Sequence, residues 1–210
     1  MIPALTPLDW SAVLAALPEP GYVVLPGFLP AALVEALRDE LRAQDAAGQF
    51  HAAGIGRGAR QQVRQQIRGD RICWLATAAD MPAATAYLAI MDDLRQALNR
   101  ELFLGLAEYE AHYACYEPGN GYGRHIDRHA NTPGVGQGQR VISTVCYLNE
   151  PGWPAEAGGE LVLHPDGELS FDITPEAGAL VVFRSDNLAH EVLPATRQRL
   201  SIAGWMRTRD

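Results

Sequence analysis

The stretch Arg124-His125-Ile126-Asp127 lies just past the middle of the chain, and His190 follows it near the C-terminus. Side chains at positions i and i+2 of a β-strand leave the same face, so His125 and Asp127 can both point at one ion while Ile126 packs behind them. A distant strand then has to bring His190 to the same place. The pattern predicts a metal site shared by two strands that are far apart in the sequence.

The types of these ligands point to iron. Two imidazoles and one carboxylate on one face of an octahedral ion leave the opposite positions open, as in non-haem Fe(II) oxygenases. A His-x-Asp tripeptide alone also occurs by chance, and a strand histidine is more often an ordinary polar residue. Arg199 and Ser201 strengthen the prediction, because a guanidinium fork and a hydroxyl on one strand face can bind a carboxylate. We expect them to bind the distal carboxylate of 2-oxoglutarate, and the open metal positions to serve this co-substrate and O2.

The composition bounds the class of protein. Hydrophobic residues make up 48% and charged residues 20% of the 210 positions, which is typical of one globular domain. The formal net charge of -8 argues against nucleic acid as a partner. Three widely spaced cysteines predict no disulfide framework and suit a reducing cytoplasm. We expect neither secretion nor membrane insertion, because we find no signal-like N-terminus and no run approaching roughly 20 apolar residues.

The spacing of apolar residues predicts the elements. Three helices are expected over residues 9–17, 30–48 and 83–99, and an early strand over 22–25. Short apolar segments separated by turns then predict eight strands, at residues 108–116, 123–128, 140–149, 159–164, 168–173, 179–184, 189–193 and 199–206.

Eight short strands at this spacing are typical of a jelly roll, which encloses a small site between two sheets. We therefore expect an α+β fold dominated by β structure, in which N-terminal helices buttress a double-stranded β-helix, a cupin-like barrel. One domain is expected over residues 1–210. Residues 1–105 would supply helical support and a substrate-loop region, and residues 106–207 the β-helix core.

A glycine-rich segment, Gly54 to Gly58, opens a basic stretch in this otherwise acidic chain. Its composition fits a solvated loop. The more specific interpretation is a basic flap that closes over an acidic protein substrate through Arg57, Arg60 and Arg64.

Several ordered motifs resemble one family, the Fe(II)- and 2-oxoglutarate-dependent prolyl hydroxylases, in the branch of the oxygen-sensing hypoxia-inducible factor (HIF) prolyl hydroxylases and their bacterial relatives. Together the similar segments cover roughly residues 55 to 206, and so many ordered matches are more specific than any one motif. They are Ile67–Trp74, Tyr113–Tyr116, Pro118–Gly121, Cys146–Asn149, Gly158–Leu161 and His190–Val192.

The resemblance implies a role for each matching residue. His125, Asp127 and His190 would hold Fe(II), while ascorbate is a candidate reductant. The C5 carboxylate of 2-oxoglutarate would pair with Arg199, helped by Tyr147, and Tyr116 would hydrogen-bond in the same pocket. The substrate groove would draw on Arg140 and Trp205, with Arg68 and Asp70 stabilising the loop over the peptide.

Some positions depart from the family pattern or have simpler interpretations. The insert between Asp127 and Arg140 is longer than expected, and Glu117 interrupts the Tyr-Pro-Gly run. Residues 1–50 match only in general character. His129 is a weak candidate ligand, and His112 and His164 are expected to be ordinary sheet or surface histidines. Strand aromatics such as Tyr147 and Trp205 also commonly just fill a core.

The resemblance implies hydroxylation at C4 of a prolyl residue in a protein substrate, with release of succinate and CO2. In bacterial relatives of this branch the implied substrate is elongation factor Tu. Two alternatives stay open at the level of the sequence. One is an oxygenase with the same cofactors that acts on a small molecule, and the other is a non-catalytic β-barrel that binds a metal and a partner protein.

Overall fold

The computed structural model describes residues 8–54, 68–128 and 138–209. Three α-helices lie in the first half of the chain: α1 (Ser11–Ala16), α2 (Ala31–Ala46) and α3 (Pro82–Leu102). Eleven strands are formed by the described residues. They are β1 (Tyr22–Leu25), β2 (His51–Ala52), β3 (Asp70–Trp74), β4 (Leu106–Tyr116), β5 (Tyr122–His125), β6 (Arg140–Tyr147), β7 (Leu161–His164), β8 (Phe171–Ile173), β9 (Leu180–Arg184), β10 (Ala189–Val192) and β11 (Arg199–Thr208).

The strands form two antiparallel sheets. The larger sheet has the order β1-β9-β6-β11-β4-β3-β2 and the smaller sheet the order β5-β10-β7-β8. Tyr147 and Phe183 of the larger sheet pack in one buried cluster with Leu161 and Leu163 of the smaller sheet, so the two sheets face each other. The predicted double-stranded β-helix is confirmed, except that the described strands form two open sheets rather than a closed barrel.

The helices cover the outer face of the larger sheet. The apolar stripe of α2, which includes Leu37 and Leu41, is buried with Met91 and Leu94 of α3 and with Ile202 of β11 in one core cluster. This 3.6-residue periodicity was visible in the sequence, and the predicted buttress is confirmed. None of the described helices has the length and apolar character needed to cross a bilayer.

Glu40 of α2 ties three elements together. Its carboxylate accepts hydrogen bonds from the backbone N–H groups of Ala83 and Ala84, at 2.8 and 3.0 Å, in the first turn of α3. It also accepts one from the hydroxyl of Tyr113 on β4, at 2.7 Å. A carboxylate satisfies unpaired N–H groups and complements the positive end of a helix dipole, so this buried side chain fixes α3 against the sheet.

Two strands were not predicted. After the early strand over 22–25, the next predicted strand began at residue 108, but β3 pairs with β4, which places Asp70 opposite Tyr116, and β2 pairs with β3. The other bounds differ by a few residues at most, and the strand predicted over 123–128 ends at His125. The three cysteines are free and buried.

Candidate active site

The predicted metal ligands come together where β5 meets β10. His190 lies directly opposite His125 in the antiparallel pair, and Asp127 follows two residues after β5 ends. The Nε2 atoms of His125 and His190 lie 3.6 and 3.5 Å from the two carboxylate oxygens of Asp127. One ligand atom from each residue lies within 4.8 Å of the others, which is close enough for all three to bind one ion.

The local geometry of Asp127 differs from the prediction. Strand alternation was expected to place Asp127 beside His125, with Ile126 packed behind them. Instead the strand has ended, Asp127 lies in a bend, and Ile126 is 41% exposed. Asp127 is fixed by tertiary contacts, because the Ser143 hydroxyl donates to its Oδ2 atom at 2.7 Å and also lies 2.7 Å from the Ser185 hydroxyl.

Backbone carbonyls orient both imidazoles. Nδ1 of His125 lies 2.9 Å from the carbonyl oxygen of Gly123, and Nδ1 of His190 lies 3.1 Å from that of Leu188. An Nδ1–H that donates to a carbonyl leaves the Nε2 lone pair available for a metal. Both Nε2 atoms are the ones that approach Asp127, so the rings are already turned as metal ligands.

Burial and charge set the protonation states of the site. Burial raises the pKa of the Asp127 carboxyl, but the neighbouring imidazoles of His190 and His125 outweigh this and hold the pKa below its usual range. Burial lowers the pKa of His190. An ionised carboxylate and a neutral imidazole are the forms that bind a cation. Two nitrogens and one carboxylate oxygen on one side of a pocket fit Fe(II).

A buried guanidinium lies in the same pocket as the triad. Arg199 is 1% exposed, and its Nε and Nη1 atoms donate to the carbonyl oxygen of Gly159 at 2.8 Å and to the Ser201 hydroxyl at 3.2 Å. Its Nη2 atom and the Tyr147 hydroxyl have no partner among the described residues. Its Cζ lies 5.3 and 5.1 Å from the ring centroids of Tyr116 and Tyr147.

Unpaired buried donors are costly, about 1–3 kcal/mol each and more when charged. A carboxylate ligand would satisfy the Nη2 atom of Arg199 and the Tyr147 hydroxyl together. The residues present therefore fit 2-oxoglutarate, since Arg199 and the triad line the same pocket.

The predicted substrate residues border this pocket. Arg68 makes a bidentate ion pair with the buried Asp70, at 2.7 and 3.0 Å, and both residues line the pocket. The guanidinium of Arg140 lies 3.5 Å above the ring of Trp205 and is paired with Glu110. The indole N–H of Trp205 is buried and has no acceptor among the described residues.

Comparison with known proteins identifies the family. A model of the 2OG-Fe(II) oxygenase superfamily matches residues 111–207. The crystal structure of a Pseudomonas putida prolyl-4-hydroxylase is 42% identical to this chain, with a TM-score of 0.84, over 96% of this chain and 100% of that chain. This chain belongs to the 2OG-Fe(II) oxygenase superfamily. The predicted cofactors, Fe(II) and 2-oxoglutarate with O2, are those that this superfamily uses.

Other relatives place this oxygenase in the predicted branch. A Trichoplax adhaerens prolyl hydroxylase, solved with a peptide of hypoxia-inducible factor, is 29% identical with a TM-score of 0.80, over 93% of this chain and 87% of that chain. Human Egl nine homolog 1 is 33% identical over 88% of this chain and 43% of its own length. The chain spans about half the length of the mammalian relatives of that name. The similarity reaches beyond residues 55 to 206.

His112 is a pocket residue of this oxygenase to which the sequence analysis assigned no role in the site. It was expected to be an ordinary sheet or surface histidine, but it is 2% exposed and lines the pocket. Burial, and then the charge of Arg68, lower its pKa to about 4. Its neutral Nε2 lies 3.5 Å from Nη2 of Arg68, and its ring centroid lies 5.4 Å from that of Trp205. His112 lies four residues before Tyr116 on the same strand, so the two side chains share one face. This spacing could have placed His112 in the pocket from the sequence.

Three further groups of residues singled out in the sequence lie apart from the pocket lining or outside the described residues. His164 lies on the smaller sheet, where its ring contacts Glu191 and Ser170 at 2.9 and 2.6 Å. Glu117, the departure from the family motif, pairs with Arg71. The basic flap residues Arg57, Arg60 and Arg64, together with His129 and most of the insert before Arg140, lie outside the described residues.

Proposed function

We propose that this protein is an Fe(II)- and 2-oxoglutarate-dependent dioxygenase that hydroxylates C4 of a prolyl residue in a protein substrate. One observation carries the proposal: a single pocket holds a His-Asp-His ligand set and the buried guanidinium of Arg199, whose Nη2 atom has no partner among the described residues. The similarity to a prolyl-4-hydroxylase over that whole chain supports the choice of reaction.

In this proposal His125, Asp127 and His190 hold Fe(II), and Arg199, Tyr147 and Ser201 hold the distal carboxylate of 2-oxoglutarate. When bound, the metal and co-substrate supply the oxidation, in which O2 is consumed and succinate and CO2 are released. The Ser201 hydroxyl keeps the guanidinium of Arg199 turned towards the pocket. The ring of Tyr116, which lies near the same guanidinium, helps to exclude water from the charge pair. The chain needs no acid-base side chain of its own.

A peptide suits the outer part of the pocket. The buried indole N–H of Trp205 lacks an acceptor among the described residues, and a peptide carbonyl oxygen would supply one. The guanidinium of Arg140 lies over the indole ring and holds it in place. Elongation factor Tu is the first candidate, because the resemblance to bacterial members of the branch implies it. We further propose one catalytic domain over residues 1–210 that works in the cytoplasm.

The test measures conversion of 2-oxoglutarate to succinate with Fe(II), ascorbate and air, with and without elongation factor Tu or fractions of a cell extract. We expect stimulated turnover and a mass gain of one oxygen on a proline, assigned to C4 by amino-acid analysis. Asp127→Ala should abolish both, and Asp172→Ala, an exposed aspartate on the smaller sheet, should leave both unchanged. If only metabolites stimulate turnover, the proposal of a protein substrate is wrong. If there is no turnover at all, the proposal of an enzymatic activity is wrong.

A further inference from the structure

The ring of Tyr122 stacks on the proposed metal ligand His125 and lies next to the guanidinium of Arg68. The imidazole of His125 and the ring of Tyr122 are 3.7 Å apart between centroids and within 17° of parallel. The guanidinium carbon of Arg68 also lies over the ring of Tyr122, 4.9 Å from its centroid. The sequence-based prediction assigned no role to Tyr122. The stack connects the residue predicted beside the substrate loop, Arg68, to a proposed metal ligand.

His125 is the least restrained of the three proposed ligands. Its side chain is 20% exposed, compared with 6% for His190 and 7% for Asp127. It ends a four-residue strand whose register with β10 shifts after the His125–His190 pair. Asp127 is held by Ser143, and His190 packs edge-on against Phe183 at 4.8 Å. Among the described residues, the ring of His125 contacts the Gly123 carbonyl, the other two proposed ligands and the ring of Tyr122.

Tyr122 is in turn held through Arg68. The backbones of the two residues form an isolated β-bridge, and the N–H of Gly69 donates to the carbonyl oxygen of Gly121 at 3.0 Å. The guanidinium of Arg68 cannot easily leave the ring, because Asp70 holds it with two hydrogen bonds and the neutral His112 offers Nε2 at 3.5 Å. The side chain of Arg68 is only 13% exposed, which strengthens a cation–π contact relative to one in water.

We propose that Tyr122, clamped by Arg68, is a positioning residue that fixes the imidazole plane of His125 for metal binding. A ring stacked on an imidazole restricts rotation about the Cβ–Cγ bond, which the hydrogen bond at Nδ1 restrains from only one edge of the ring. Groups behind a metal ligand commonly change metal affinity by about 10–100-fold when they are removed. Through this stack, a change at Arg68 on the substrate side alters the metal site. The inference rests on the proposed metal-binding role of His125.

The experiment compares Fe(II) affinity, measured without oxygen, and the visible absorption spectrum of the Co(II)-loaded protein. Tyr122→Leu removes the ring and should weaken Fe(II) binding about ten-fold or more, with a shifted Co(II) spectrum at saturating metal. Tyr122→Phe keeps the ring and should stay within about two-fold of the wild type by the same reasoning. Arg68→Lys keeps a charge for Asp70 but loses the planar stack, and should weaken binding by an intermediate factor.

Phe28→Leu is the matched control, because this variant loses a comparable ring contact, with Trp10 at 5.2 Å, in the core cluster that the helices form with the larger sheet. It should bind metal as the wild type does, and the unfolding midpoints of the metal-free proteins separate stability from positioning. Wild-type affinity and an unshifted Co(II) spectrum in Tyr122→Leu would overturn the positioning role while leaving the proposed function intact. Failure of the wild type itself to bind Fe(II) would overturn both.

Discussion

The hydroxyl of Ser143 on β6 donates a 2.7 Å hydrogen bond to Oδ2 of Asp127, although the two residues are 16 positions apart. This hydrogen bond orients the carboxylate of Asp127. Strand geometry was expected to orient it, but β5 ends before Asp127. A carboxylate in a bend could rotate, and a fixed donor on one oxygen limits that rotation. The metal site is therefore assembled by the packing of β6 against the bend as much as by the His-x-Asp spacing.

Ser143→Ala should weaken Fe(II) binding about ten-fold, because it removes the donor that orients the carboxylate. The weaker binding should appear in an oxygen-free Fe(II) titration. Added metal should also raise the melting temperature of the variant by less than it raises that of the wild type. Ser170→Ala, which removes a hydroxyl at an exposed residue just before β8, is the control and should change neither. Equal affinities of the two variants would mean that Asp127 needs no orienting donor.

Arg199→Met should raise the KM for 2-oxoglutarate about ten-fold or more, because a hydrogen bond to a charged group contributes about 1.5–3 kcal/mol. The comparison substrate is 2-oxopentanoate, which has the same 2-oxo acid end and lacks the distal carboxylate. The wild type should strongly prefer 2-oxoglutarate, and this preference should collapse in the variant. Arg197→Met changes an exposed arginine two residues earlier and should keep the preference. A preference retained by Arg199→Met would place the distal carboxylate elsewhere.

The periodic parts of this fold were predictable from the sequence. Leu37 and Leu41 mark one face of α2, and Arg199 and Ser201 share a face of β11 with i, i+2 spacing, so their local structure follows from residue type and period. β3 was missed because Asp70 and Arg71 begin it, and charged residues seldom begin a buried strand. Their charges are satisfied by Arg68 and by Asp45, which are partners that only the folded chain supplies.

The site was predictable to the extent that each residue carries a recognisable chemistry. His125, Asp127, His190 and Arg199 have distinctive side chains, and the structure brings all four to one pocket. Ser143 could not be predicted in the same way, because a serine on a strand carries no signal until the fold places it beside a carboxylate. The roles of the predicted residues stay predictions until variants are measured.

Glu40→Ala should lower the free energy of unfolding by about 3 kcal/mol or more, because three buried donors lose their acceptor at once. Chemical denaturation measures the change directly. Glu35→Ala is the matched control, since Glu35 is exposed on the same helix and should cost little. Similar losses for the two variants would show that α3 is held by apolar packing alone.

His112 should make the folded protein sensitive to mild acid. In the unfolded chain His112 takes up a proton near its ordinary pKa of 6.5, but in the folded protein burial and then Arg68 lower the pKa to about 4. Protonation therefore favours the unfolded state, so this contribution to stability is complete above pH 6.5 and is lost as the pH falls towards 4. The loss amounts to about 3 kcal/mol at most.

The comparison that isolates this contribution is His112→Gln, which cannot take up the proton. Urea denaturation between pH 7.5 and pH 4.5 should show the wild type losing more stability than the variant. Carboxylates such as Asp127 also affect stability in this range, but they are present in both proteins and largely cancel in the difference. His51→Gln changes an exposed histidine and should follow the wild-type curve. Parallel curves for wild type and His112→Gln would mean that His112 is charged or water-exposed in the folded protein, and its neutral contact with Arg68 would then be wrong.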